Sequence, residues 1–214
     1  MTRPLNPTGK KHRFDKAWMH DHVNDHYVQE AKRRGYRSRA AFKLIELADK
    51  DKLLQPGRSA VDLGAAPGSW SQVLRERLGP AATIVAVDVL PMDGLAGVKF
   101  VQTDFATDEG LARVRDALGN TSVALVVSDM APNLSGIDSV DQARSIQLAE
   151  LAFDFACQCL RPGGDFAVKL FQGSGQDTFV RAVGNRFAKV YVRKPKASRD
   201  RSREVFVVAK DFRG

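Results

Sequence analysis

The chain has 214 residues, 43% of them hydrophobic and 27% charged. That composition suits one soluble globular domain with a large core, and no apolar run approaches the roughly 20 residues of a membrane span. The formal net charge is +8, and it is uneven. Residues 1–40 carry ten Lys/Arg against four Asp/Glu, residues 186–214 ten against three, and residues 41–185 carry 13 against 18. A mildly acidic body with basic ends fits a polyanionic partner gripped by the ends.

Residues 1–30 are polar, contain all four histidines and show no sustained period. The expectation is a basic, partly disordered arm, with residues 31–214 as a single domain. The arm lacks the apolar h-region of a secretory signal. His20, His22 and His26 read as surface histidines, because no cysteine accompanies them, and no metal site is expected. Helical spacing of Phe42, Ile45, Leu47 and Leu53 predicts a helix over 38–54, ended by Pro56-Gly57. An alternation follows. Strands are predicted over 59–64, 82–89, 98–104, 122–129, 165–171, 188–195 and 203–210. Helices are predicted over 69–79, 108–119, 138–160 and 175–187. Ser69 is expected near the N-cap of its helix, with Gly79 as the stop. Cys157 and Cys159, the only cysteines, read as reduced thiols of a cytoplasmic protein. Strands that alternate with helices, and are apolar on both faces, predict an α/β doubly wound, mostly parallel sheet with helices on both faces. The last two strands have only the basic linker 193–203 between them, so an antiparallel pair is expected at one edge.

In such a sheet ligands bind beyond the C-terminal strand ends. The loop after the first strand, DLGAAPGSW, supplies Asp62, Gly64, Gly68 and Trp70. It matches neither the dinucleotide fingerprint G-x-G-x-x-G nor a P-loop. An acid before the glycines suits a cofactor that carries positive charge. Asp88 ends the second strand, where a carboxylate accepts from both ribose hydroxyls. Asp104, at the end of the third, is placed for an adenine amino group. Acids in this register fit S-adenosylmethionine better than NAD. Asp129 ends the fourth strand in VVSDMAPNLSG. Lys169 interrupts the apolar strand FAVKLF near the same end. Adjacent strands lie about 4.8 Å apart, so the two side chains are within reach. Glu204 opens the last strand, and Lys43 lies on the helix before the first.

Lys43, Asp129, Lys169 and Glu204 resemble the K-D-K-E tetrad of ribose 2′-O-methyltransferases. Together, DLGAAPGSWSQ, VVSDMAPNLSG, FAVKLFQG, SREVF and SRAAFKL resemble the FtsJ/RrmJ family of bacterial ribosomal RNA methyltransferases, from about residue 30 to the end. One departure is Ser69, where that family commonly has a second glycine. The resemblance implies a Rossmann-like S-adenosylmethionine-dependent fold with a seven-stranded sheet. It also implies, as substrate, a uridine of 23S rRNA in the large ribosomal subunit. Lys169 would be the general base. A lysine base must be neutral when it acts, and burial and a second cation both favour the neutral amine. Lys43 would supply that cation and stabilise oxyanion charge. Asp129 would orient Lys169 and lie near the sulfonium, and Glu204 would hold Lys43 or the ribose. Phosphate contacts are expected from two basic clusters beside tetrad residues. One contributes Lys32, Arg33, Arg34 and Arg37, the other Lys194, Lys196, Arg199 and Arg201. The protein is expected to be a monomer. Rival readings are a ribose methyltransferase of transfer RNA or caps, a non-catalytic ribosome-assembly protein that binds RNA, and an NAD oxidoreductase.

Overall fold

The computed structural model describes residues 25–199 and 201–214; His12, His20 and His22 of the arm lie outside them. Helix α1 (His26–Arg34) begins where Asp25 accepts from the Tyr27 backbone N–H at 3.0 Å, and Gly35 closes it at φ 75°. The helix crosses the boundary expected at residue 30. The period did not betray it, because only Val28 and Ala31 are buried in an otherwise polar run. Ala31 packs with Phe42 and Ala197 in a small cluster of its own.

The other helices are α2 (Ala40–Asp51), α3 (Ser69–Leu78), α4 (Asp108–Leu118), α5 (Asp138–Cys159) and α6 (Gln176–Arg186). The strands are β1 (Ser59–Leu63), β2 (Ile84–Asp88), β3 (Lys99–Gln102), β4 (Val123–Ser128), β5 (Leu160–Phe171), β6 (Phe187–Arg193) and β7 (Glu204–Phe212). They form one sheet in the order β3-β2-β1-β4-β5-β7-β6. Strands β1 to β5 are parallel, and β7 runs antiparallel to both its neighbours. The reversed strand therefore sits one place in from the edge, which β6 forms. Strand β5 starts earlier than the glycines implied, because Leu160 already pairs with Val123 before a register shift.

All six residues of β4 are buried, whereas β3 and β6 alternate or face solvent. Covered faces at the centre and polar edges are what a doubly wound sheet needs. Helices α4, α5 and α6 pack on one face through residues such as Val114, Phe155 and Phe179. Helices α2 and α3 pack on the other through Leu44, Leu47, Trp70 and Leu74. The chain leaves β1 for β2 and β3 on one side and returns to β4 on the other. The C-terminal ends of β1 and β4 thus flank the switch point where ligands bind.

Candidate active site

Pairing register brings the expected tetrad together. Ser128 lies opposite Val168, so the next residue of each strand end, Asp129 and Lys169, meet. The Lys169 ammonium donates to the Asp129 carbonyl oxygen at 2.6 Å and lies 3.0 Å from its Oδ1. Strand β7 runs back so that Lys169 faces Phe206 and Phe171 faces Glu204. Lys43 of α2 reaches down to Glu204 at 2.9 Å and lies 3.8 Å from Asp129 Oδ2. Its ammonium also sits 5.8 Å from the centre of the Phe206 ring. Lys43, Lys169 and Glu204 are each less than a tenth exposed. Burial alone would raise the Glu204 carboxyl, but the Lys43 charge and hydrogen bond hold it below the usual range. The four residues alternate in sign, and Lys43, Lys169 and Glu204 border a cavity of about 530 Å³, which Arg39, Leu134 and Arg199 also line.

The loop after Asp129 is pinned by a residue the sequence reading missed. Asp141, in the first turn of α5, accepts from Ser135 N and Oγ at 2.8 Å each and from Gly136 N at 3.2 Å. Those bonds hold its carboxyl below the ordinary range. An acid in a first helical turn is common enough that its sequence position carried no signal.

The expected cofactor residues divide into two groups. Asp88 ends β2 half-buried, accepting from Ala66 N at 2.9 Å and Leu90 N at 2.8 Å. Asp104, two residues past β3, is exposed and accepts from Ala106 N at 3.0 Å. A Cβ on Gly110 would lie 1.9 Å from the Asp104 carbonyl oxygen, so this helical glycine lets α4 approach the acid. Gly64 and Gly68 take φ 73° and 107°, conformations that favour glycine. Asp62 differs from expectation. It is 1% exposed and accepts from Ser71 Oγ at 2.7 Å, tying β1 to α3 rather than facing a ligand. Burial, with smaller contributions from Asp129 and Asp88, pushes it up to about 7. Trp70 is also buried, and its indole N–H donates to Ala40 O at 2.8 Å. Only its backbone in the first turn of α3 is left for a cofactor. Gly68 is the N-cap and Ser69, next to it as expected, is the first helical residue; its hydroxyl pairs with Ser38 Oγ at 2.6 Å. Asp88 and Asp129 both lie near enough to Asp62 to act on it, and acids gathered at these strand ends fit a cofactor that carries positive charge.

The basic residues also divide. Arg33 and Arg34 share Glu30 at 2.6 and 2.5 Å on the exposed face of α1, where Lys32 is exposed as well. Arg37 does not point outward as expected. Its guanidinium donates to the carbonyls of Pro67, Asp93 and Gly94, each at 2.9 Å, and so braces the loops around the cofactor cradle. Lys194 is likewise engaged, donating to the Ser202 carbonyl. Glu46 of α2 accepts from Lys196 N at 2.6 Å and Ala197 N at 2.8 Å, which folds the basic linker back beside α1 and α2.

The family model for FtsJ-like methyltransferases matches residues 36–212. The chain belongs to the FtsJ-like methyltransferase family. It is 56% identical over 204 residues to the ribosomal RNA large subunit methyltransferase E of Azoarcus sp. (strain BH72), covering 95% of this chain and 100% of that relative. The protein of the same name from Bordetella petrii is 52% identical over 208 residues, covering 95% of this chain and 99% of the relative. A crystal structure of a Plasmodium falciparum ribosomal RNA methyltransferase superposes with a TM-score of 0.77 at 31% identity, over 84% of this chain and 100% of that one. In this FtsJ-like methyltransferase, Asp129 lies near Asp62 and pairs at 3.0 Å with Lys169, which lines the cavity. No helix among the described residues is long and apolar enough to cross a membrane.

Proposed function

We propose that this methyltransferase uses S-adenosylmethionine to methylate the ribose 2′-hydroxyl of a uridine in the 23S rRNA of the large ribosomal subunit, as a cytoplasmic monomer. The observation that carries the reading is a buried lysine, Lys169, at 3.0 Å from Asp129 on a cavity that Lys43 and Glu204 also line. The names of the relatives support ribosomal RNA as substrate.

The cofactor supplies an electrophilic methyl group on a sulfonium. The protein must do the rest. A ribose hydroxyl is a weak nucleophile until it loses its proton. Lys169, as the neutral amine after it has released its own proton to solvent, would take that proton and become the ammonium. Asp129 holds the Lys169 nitrogen in position through its carbonyl and carboxylate. Lys43, fixed by Glu204 at 2.9 Å, offers positive charge to the developing alkoxide. Asp88 and Asp104 would hold ribose and adenine, Gly64 and Gly68 let the backbone approach, and Asp62 supports the cradle from beneath. Lys32, Arg33, Arg34, Lys196, Arg199 and Arg201 would grip phosphates, and Arg37 belongs to the cofactor loops instead.

The test is transfer of labelled methyl from S-adenosylmethionine to large subunits that lack the modification and to naked rRNA. The expected product resists alkaline cleavage next to the labelled nucleotide, because the 2′-oxygen is blocked. Label that leaves that linkage alkali-sensitive, or no label in rRNA, would overturn the reading.

A further inference from the structure

A second cavity, of about 420 Å³, adjoins the first. It is lined by Asp25, Tyr27, Arg39, Lys196, Arg199 and Arg201, and Arg39, Arg199 and Arg201 belong to both. Asp25 is its one carboxylate among the described residues, and two guanidiniums share it. Arg39 Nη1 is paired with Asp25 Oδ2, and Arg199 Nε lies 3.9 Å from the same atom. Arg39 also donates to the Ala197 carbonyl and lies over the Tyr27 ring, 5.6 Å from its centre, while its Nε is buried without a hydrogen-bond partner. Burial, and then the neighbouring Arg199 charge, shift Arg39 below the ordinary guanidinium range. Two guanidiniums on one acid, Arg39 and Arg199, close enough to repel, form a site that an anion stabilises.

We propose that this cavity is a phosphodiester subsite for the 3′-phosphate of the nucleotide being methylated. The inference rests on the ribose-methylation reading and adds to it which phosphate is held. The ribose carbon that bears the 2′-oxygen adjoins the one that bears the 3′-phosphate. A ribose placed at Lys169 therefore has that phosphate as its nearest anion, and the cavity beside Arg39 lies next to Lys169's own. The placement also has a chemical consequence. A phosphate beside the 2′-oxygen opposes loss of its proton, since two negative charges would then be neighbours. Arg39 and Arg199 on the phosphate offset that repulsion. The Tyr27 ring is covered by Arg39 on one side and packs against Phe42 at 5.5 Å, so the pocket reads phosphate rather than base.

The probes are uridine 3′-monophosphate and uridine 5′-monophosphate, titrated into the protein saturated with S-adenosylhomocysteine. The wild type is expected to bind the 3′-isomer at least fivefold more tightly. Arg199→Gln should abolish that preference, and Arg199→Lys, which keeps the charge but not the planar fork, should restore it only in part. Asp25→Asn, which still caps α1, should strengthen 3′-phosphate binding. Equal affinity for the two isomers, no binding of either, or an Arg199→Gln protein with the preference intact overturns the subsite. In a parallel arm, Arg199→Gln should raise KM for large subunits and lower kcat, while Arg161→Gln at the far end of the sheet changes neither. Wild-type methylation of rRNA without an isomer preference would overturn the subsite and leave the ribose reading standing. Absence of methylation would overturn the ribose reading itself.

Discussion

Strand β5 carries two buried charge clusters. At mid-strand, Asp165 is 1% exposed: Arg58 and Lys210 each donate to Oδ2 at 2.9 Å, and Asp211 N donates to Oδ1 at 3.2 Å. Toward the C-terminal end, Lys169 pairs with Asp129 and lines a cavity with Lys43 and Glu204, and the Asp129 side chain keeps 16% of its surface. The first sets one acid against two cations, the second two acids against two. The difference lies in what is left over. The first gives both oxygens of its one acid to two cations and an amide, so it holds β7 and the segment before β1 against β5. The second leaves distances of 3.0 and 3.8 Å to Asp129 and an open wall. A residue type or a charge count does not separate a structural ion cluster from a reactive one; spare valence and access do.

The sharpest way to break this contrast is to exchange the phenotypes. Lys169→Met should lower kcat by about 10²–10⁴-fold, the range for losing a general base, with the thermal midpoint little changed. Asp165→Ala should do the reverse, costing about 3–5 kcal/mol of stability by leaving Arg58 and Lys210 buried without their acid. Its activity per folded molecule should stay near wild type. Denaturant unfolding and single-turnover methyl transfer on both proteins decide the matter, and a stable, active Lys169→Met protein would remove the distinction.

Asp62 tests what happens to a buried acid whose partner is a hydroxyl. Its carboxyl lies near 7 when folded and near 3.8 when exposed. In that interval the native state holds more protons than the unfolded state, so rising pH weakens the fold. The whole effect, about 4 kcal/mol by the pKa difference, is reached above pH 7 and vanishes below about pH 4. Asp62→Asn should therefore flatten the stability–pH curve across that window and be the more stable protein at pH 8. Parallel curves for the two proteins would mean that Asp62 does not gain a proton on folding.

The smallest expected effect concerns Arg37. Arg37→Ala should weaken S-adenosylmethionine binding about fivefold, near 1 kcal/mol, by freeing the loops at Pro67 and Gly94. The salt dependence of RNA binding should not move. A slope reduced by about one, with cofactor affinity intact, would return Arg37 to the phosphate-binding set.

The order of strands and helices was legible because it rests on local periods and on glycine or proline stops. That Lys43, Asp129, Lys169 and Glu204 meet was legible because each sits in a short motif. Helix α1 was not, since two buried residues make too short a period, and neither was the reversed strand's position inside β6. Arg39 was hidden among five cations in AKRRGYRSR, and nothing in that run says which one turns toward Asp25. By itself the sequence determined the alternation of the fold, its family motifs and the identity of the charged residues. The tertiary structure decided which of them are spent: Arg37 on carbonyls, Asp62 on Ser71, and Lys43 on a glutamate 161 positions away. Period and turn chemistry act between near neighbours, whereas burial and hydrogen-bond partners are set across the sheet, where sequence distance carries no information.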